Sequence, residues 1–258
     1  MNSLPTLQVL NLSMRFGGIQ AIREVSFQVE DGELFALIGP NGAGKSTIFN
    51  CVNGLYKPTQ GKVVFEGEDI TGLKSFRIAR KGIARTFQNI ALFHHMTVLD
   101  NLLLGRNPYL HAGVLGGGFF FGNALREELE SRKDVEEIID FLEIEGFRKK
   151  IVGSLPFGIQ RRIELGRALA MKPKLLLLDE PVSGMNAEER EDMARFILDI
   201  KEELGTTVVL IDHDMGVVMD IADRIVVLNF GTKIAEGAPK QIGTDPAVIQ
   251  AYLGEERQ

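Results

Sequence analysis

The chain has 258 residues, 45% of them hydrophobic and 25% charged, enough for a sizeable core in one or two globular domains. Its 29 Lys and Arg against 35 Asp and Glu leave a formal charge of −6, which argues against nucleic acid as the main partner because phosphate contacts need clustered cations. One cysteine, Cys51, excludes an internal disulfide and fits a reducing compartment, and the four histidines (His94, His95, His111, His213) have no metal-ligand spacing with Cys or carboxylates.

Met1 to Pro5 has no basic region followed by an apolar one, so no signal peptide is expected. No apolar run approaches the roughly 20 residues of a spanning helix. The densest stretch, Val114 to Gly122, is short and broken by glycines.

In chain order, Ile22 to Val29 alternates, with Val25, Phe27 and Val29 apolar between polar neighbours, as in a half-buried strand. Asp31-Gly32 then turns the chain. Leu34 to Ile38 is wholly apolar, the pattern of a strand covered on both faces. A glycine-rich loop and a helix follow, the helix ending near Gly54. Cys51 lies on it as a small buried hydrophobe. Lys62 to Phe65 reads as another strand.

The middle changes character. Thr97 with Asp100 marks a helix start, and Leu99, Leu102 and Leu103 supply its apolar stripe. Val114 to Gly122 is a Gly/Phe-rich loop, and from Leu125 to Leu142 the residues Leu129, Val135, Ile138, Ile139 and Leu142 recur at helical spacing. Alternation of strand and helix then resumes. Strands at Leu175–Leu178, Thr207–Ile211 and Ile225–Leu228 are separated by helices at Ala187–Leu204 and Met215–Ile221. This predicts an α/β fold: a P-loop NTPase core of mostly parallel sheet, an N-terminal antiparallel β portion and an inserted α-helical subdomain. The core is expected at 1–87 and 170–258, the helical subdomain at 88–169.

Two motifs carry chemistry. Gly39-Pro40-Asn41-Gly42-Ala43-Gly44-Lys45-Ser46, continuing to Thr47, matches G-x-x-x-x-G-K-[ST] between a strand and a helix. Glycines let the backbone wrap phosphates so that amides point inward at a helix N-terminus. Lys45 is expected to reach the β- and γ-phosphates of ATP and Ser46 to ligate Mg²⁺. The apolar Leu175–Leu178 ends in Asp179-Glu180, which delivers Asp179 to the metal and leaves Glu180 to polarise an attacking water.

With Gln88 in Thr86-Phe87-Gln88-Asn89, Ser154-Leu155-Pro156-Phe157-Gly158-Ile159-Gln160-Arg161-Arg162, His213 in Asp212-His213-Asp214, and Phe16 before Gly17-Gly18, the chain resembles, over almost its whole length, the ATPase subunit of ATP-binding cassette transporters. The resemblance implies one nucleotide-binding domain spanning 1–258. It also implies that Phe16 stacks on adenine, that Gln88 joins the metal site and the catalytic groups, and that His213 contacts the γ-phosphate. Leu155, Phe157, Gly158 and Gln160 would face the ATP of a second chain. Two departures stand out. Where the family has Leu-Ser-Gly-Gly-Gln, this chain has Leu155-Pro156-Phe157-Gly158-Ile159, and Asn186 stands where the family's loop commonly ends in aspartate. Pro156 suits the first turn of a helix, whose amides and dipole can still hold an anion.

Within the family, four stretches resemble the branched-chain amino acid importers: Arg15 to Ala21, Gly82 to Asn89, the altered signature into Arg162, and Gly237 to Gly254 with Ala251-Tyr252-Leu253-Gly254. The insert Gly113 to Gly122 sits where those subunits carry a variable loop. This implies a second ATPase chain (a copy or a paralogue), two integral membrane permease subunits and, indirectly, a periplasmic or extracellular substrate-binding protein. The expected place is peripheral, on the cytoplasmic face of the inner membrane. Ile90, Leu92 and Phe93 are candidates for the permease groove or for plain core packing. A lipid or lipopolysaccharide exporter ATPase, a non-transport cassette and a weakly hydrolysing regulator are the alternatives.

Overall fold

A computed structural model describes residues 4–88, 90–106 and 123–253, except the side chains of 123–126 and 253. Asn89, the Gly113–Gly122 insert and Gly254 fall outside the described residues.

β1 (Leu7–Phe16) and β2 (Ile19–Val29) pair antiparallel, and β4 (Gln60–Phe65) and β5 (Glu68–Asp69) extend them into a sheet of order β2-β1-β4-β5. The alternation of Val25, Phe27 and Val29 holds, all three facing the core. β1 escapes a simple alternating pattern because Asn11 adopts φ 47° and shifts the ladder, so the buried face runs Leu7, Val9 and then Leu12, Met14. Glu24 on β2, φ 47°, makes the partner irregularity. Two side chains stitch the distortion: Asn11 N donates to Ser26 Oγ and Glu24 N to Ser13 Oγ.

The second sheet has order β10-β9-β3-β8-β7-β6, formed by β3 (Leu34–Ile38), β6 (Ile83–Arg85), β7 (Leu175–Asp179), β8 (Thr207–Ile211), β9 (Arg224–Asn229) and β10 (Thr232–Gly237). All neighbours are parallel except the β9–β10 hairpin at the edge. β3, β7 and β8 are buried along their whole length, which is why they carry uninterrupted apolar runs. The helices of this unit are α1 (Lys45–Val52), α2 (Ser75–Arg80), α6 (Ala187–Glu202), α7 (Met215–Ile221), α8 (Pro239–Ile242) and α9 (Pro246–Leu253). Helix α1 stops at Val52, and Gly54 turns left-handed at φ 71°, close to where the glycine predicts its end.

The chain divides into two compact units, Met1–Gln88 with Lys174–Gln258, and Asn89–Pro173. The second unit holds α3 (Val98–Gly105), α4 (Asn123–Phe141) and α5 (Phe157–Leu169). Thr97 caps α3 by accepting from Asp100 N, as its sequence predicts. Gly105 lets α3 approach α5 closely: a Cβ there would lie 2.4 Å from the Arg167 carbonyl oxygen. On α4 the core stripe is Ser131, Val135 and Ile139, continued by Leu142, whereas Leu129, expected on that stripe, is exposed. The true stripe steps by four residues through a polar Ser131, so apolarity alone points to the wrong first member.

Leu177 is fully buried in β7 while Leu204 is half exposed. Leu177→Ala should lower unfolding free energy by about 2–5 kcal/mol, and Leu204→Ala should shift it by about 0.5 kcal/mol or less; urea unfolding of both variants checks this.

Candidate functional site

Four adjacent parallel strands, β3, β8, β7 and β6, end at one rim of their sheet, the edge where α/β folds place their ligands. Each passes into a loop that bears candidate residues. β3 leads into Gly39–Ser46, β7 ends on Asp179 before Glu180, β8 leads to Asp212-His213, and β6 leads to Thr86-Phe87-Gln88.

The loop after β3 needs its glycines. Gly39 has φ 143°, and a Cβ on it would fall 2.1 Å from the Leu228 carbonyl oxygen. Gly44, φ 103°, caps α1, and a Cβ there would meet Ile22 Cδ1 at 2.4 Å. Helix α1 has no side-chain cap and no acidic residue in its first turn, so its N-terminal amides and dipole favour an anion. Lys45 Nζ folds back over the loop, donating to the Gly39 carbonyl at 2.5 Å and the Pro40 carbonyl at 3.0 Å. The hairpin after β9 braces it: Gly231 N donates to Ala43 O, and Gly231 O accepts from Arg23 N.

Glu180 adopts φ 51°, a left-handed conformation uncommon for a residue other than glycine. Its amide donates to the Ile211 carbonyl at 2.7 Å, locking it beside the end of β8. Its Oε2 accepts from Gln88 Nε2 at 3.0 Å and lies 3.7 Å from His213 Nδ1. The structure therefore gathers Glu180, Gln88 and His213 around one carboxylate oxygen. Asp179 sits one residue back, buried, with Arg85 Nη2 donating to its Oδ2 at 2.7 Å. Phe16 is partly exposed and meets Tyr56 edge to face, ring centroids 5.2 Å apart.

In the other unit, Leu155, Phe157, Gly158 and Gln160 cluster at the start of α5. Pro156 is the residue before the first turn, extended at φ −55° and ψ 152°, rather than inside it. Gln160 Nε2 donates to the Leu155 carbonyl at 2.8 Å, Gly158 is buried, and Phe157 is partly exposed beneath Arg161.

A sequence profile for ABC transporters matches residues 22–183, and one for branched-chain amino acid ATP-binding cassette transporters matches 232–257. BraF, the high-affinity branched-chain amino acid transport ATP-binding protein of Pseudomonas aeruginosa, is 44% identical over 253 residues, 98% of this chain and 99% of its own length. This chain belongs to the ABC transporter ATPase family. A crystal structure of the ADP conformation of an ATP-binding cassette from an ABC transporter is 32% identical and superposes with TM-score 0.85, covering 97% of this chain and 99% of its own. The dimeric structure of a bacterial ABC transporter cassette is 27% identical, with TM-score 0.76 over 90% of this chain and 98% of its own. The cassette is thus a nucleotide-binding ATP hydrolase coupled to transport, built on the α/β fold expected for it.

Two residues of this cassette's site were not singled out from sequence. Arg85 looks like an ordinary strand end; its one signal is a cation between apolar Ala84 and Thr86-Phe87. Asp212 is fully buried, and its Oδ1 accepts from His213 N at 2.7 Å and Asp214 N at 2.9 Å, while Oδ2 lies 3.5 Å from Val182 N. It joins the loop carrying His213 to the loop after Glu180. Asn186 caps α6: its side-chain oxygen accepts from Glu189 N, while the Glu189 carboxylate accepts from Asn186 N.

Desolvation pushes the Asp212 carboxyl above the usual carboxylate range, opposed by the three amides and His213. The folded state thus holds this proton more tightly than the unfolded chain, whose value is about 3.9. Its contribution to stability is complete below that value and declines as pH rises through the native one. Asp212→Asn keeps Oδ1 for two amides and removes the charge. The melting temperature of Asp212→Asn minus that of the parent should therefore climb as pH rises above about 4 and then level off; a flat difference would refute the assignment.

Proposed function

We propose that this cassette powers an importer of branched-chain or other hydrophobic amino acids or amides, hydrolysing ATP held between two ATPase chains. The match at 232–257 and the likeness to BraF support the substrate class. The observation that carries the chemistry is the meeting of Gln88, Glu180 and His213 beside the phosphate loop's strand.

In this reading the amides from Gly39 to Thr47 take the phosphates, and Lys45 exchanges its two carbonyl partners for the β- and γ-phosphates. Phe16 offers its exposed face to adenine. Ser46, Asp179 and Gln88 form a hard, oxygen-bearing donor set that suits Mg²⁺. Bound there, Mg²⁺ would supply positive charge that offsets the negative charge developing on the phosphates in the transition state. Glu180 takes the proton of a water whose oxygen bonds to the γ-phosphorus as the bond to ADP breaks. Gln88 and His213 hold the Glu180 carboxylate and the departing phosphate in place.

Leu155, Phe157, Gly158 and Gln160 would present the α5 N-terminus to the partner chain's nucleotide, Gly158 and helix amides replacing the absent serine hydroxyl. Among the described residues no helix is long and apolar enough to cross a membrane. Peripheral docking on two permease subunits at the cytoplasmic face, fed by a separate substrate-binding protein, follows from this role. Ile90 and the exposed Phe93 are docking candidates, whereas Leu92 is buried.

Glu180→Gln should reduce turnover at least 100-fold, the scale of a lost general base, and elute as an ATP-dependent dimer. Lys45→Ala should bind ATP weakly and stay monomeric. Turnover by Glu180→Gln at the parent rate would remove Glu180 from the role of base. Pro156→Ser should leave turnover equal or higher; a large fall would show that the extended proline shapes the site.

A further inference from the structure

Arg85 ties together three elements at the rim. Its buried guanidinium donates through Nη2 to Asp179 Oδ2 at 2.7 Å and through Nη1 to Asn50 Oδ1 at 2.6 Å. Asn50 lies on α1, one turn beyond Ser46. The same planar cation lies 5.5 Å from the Phe49 ring and 5.3 Å from the Phe87 ring, so it also contacts the residue preceding Gln88. Beside it, Thr86 Oγ1 accepts from Asp179 N at 3.3 Å.

Charge compensation alone does not account for this geometry. A lysine could neutralise a buried carboxylate as a point charge, but only a planar fork can bridge Asp179 and Asn50 while stacked against two rings. With Oδ2 held by Arg85, the Asp179 carboxylate is fixed in one rotamer and its Oδ1 is the oxygen left for a ligand. Carboxylates that ligate metals are themselves held by such outer partners.

We propose that Arg85 is a positioning residue for the metal site. It orients Asp179 and links that orientation to the helix bearing Ser46 and to the segment Phe87-Gln88. The proposal rests on reading Asp179 as a metal ligand.

The test is equilibrium binding of a fluorescent ATP analogue, in EDTA and across a Mg²⁺ titration, with melting temperatures recorded alongside. The proteins are the parent, Asp179→Asn, Arg85→Gln and Arg85→Lys, the last keeping the charge that Asp179 needs to fold. Asp179→Asn should lose the Mg²⁺-dependent gain in affinity. Arg85→Gln should keep its metal-free affinity within about twofold and need 10- to 100-fold more Mg²⁺, the usual consequence of removing a metal ligand's support. Arg85→Lys should fall between Arg85→Gln and the parent. Normal Mg²⁺ dependence in both Arg85 variants, with Asp179→Asn impaired, overturns the proposal. So does an equal loss with and without metal, which marks a purely structural residue. Tighter Mg²⁺ dependence in Arg85→Gln overturns it too, by making Arg85 a competitor of the metal. Parental behaviour of Asp179→Asn would instead remove the underlying assignment of Asp179.

Discussion

The site depends on the parallel register of β6, β7, β8 and β3. Ile83 pairs with Leu175, Leu175 with Thr207, and Leu34 with Val208, so neighbouring strands end at one rim within two residues of each other. Parallel neighbours put every carboxyl end on the same edge, and the pairing of Asp179 with Ile211 sets Glu180 beside the loop of Asp212 and His213. A slip of one residue in β7 would turn Asp179 to the other face and remove it from its partners. The apolar runs of β3, β7 and β8 resist that slip, because helices and the first sheet cover both faces and every side chain is buried.

Around that rim, each buried carboxyl has local partners. Asp179 has the Arg85 guanidinium, and Asp212 has three backbone amides. Glu180 is the exception in backbone terms, held left-handed by the hydrogen bond from its amide to Ile211. A left-handed non-glycine residue costs on the order of 1–2 kcal/mol, and such strain gathers where a side chain must be aimed. Here the aimed oxygen is the one that meets both Gln88 and His213.

The glycine-rich turn at Gly39–Ser46, the Asp179-Glu180 strand end and the buried strands were legible in the sequence because each is local: a motif or an apolar run within ten residues. The resemblance to the transporter family supplied Gln88 and His213, which spacing alone leaves as loop residues. β1 was not legible, since the bulge at Asn11 breaks its alternation, and neither was β10, a partly exposed edge strand without an apolar run. Leu129 misled because the α4 stripe begins at a serine. Arg85 and Asp212 act through partners that lie 94 and 30 positions away in the chain, which no local pattern encodes.

The most direct test of hydrolysis between two chains is steady-state ATPase activity of the purified protein across a wide range of its own concentration. The account predicts a rate per chain that rises with concentration and reaches a plateau once paired chains dominate. A rate per chain that is appreciable and independent of concentration down to dilutions where only monomer exists would contradict it, placing the whole reaction within one chain.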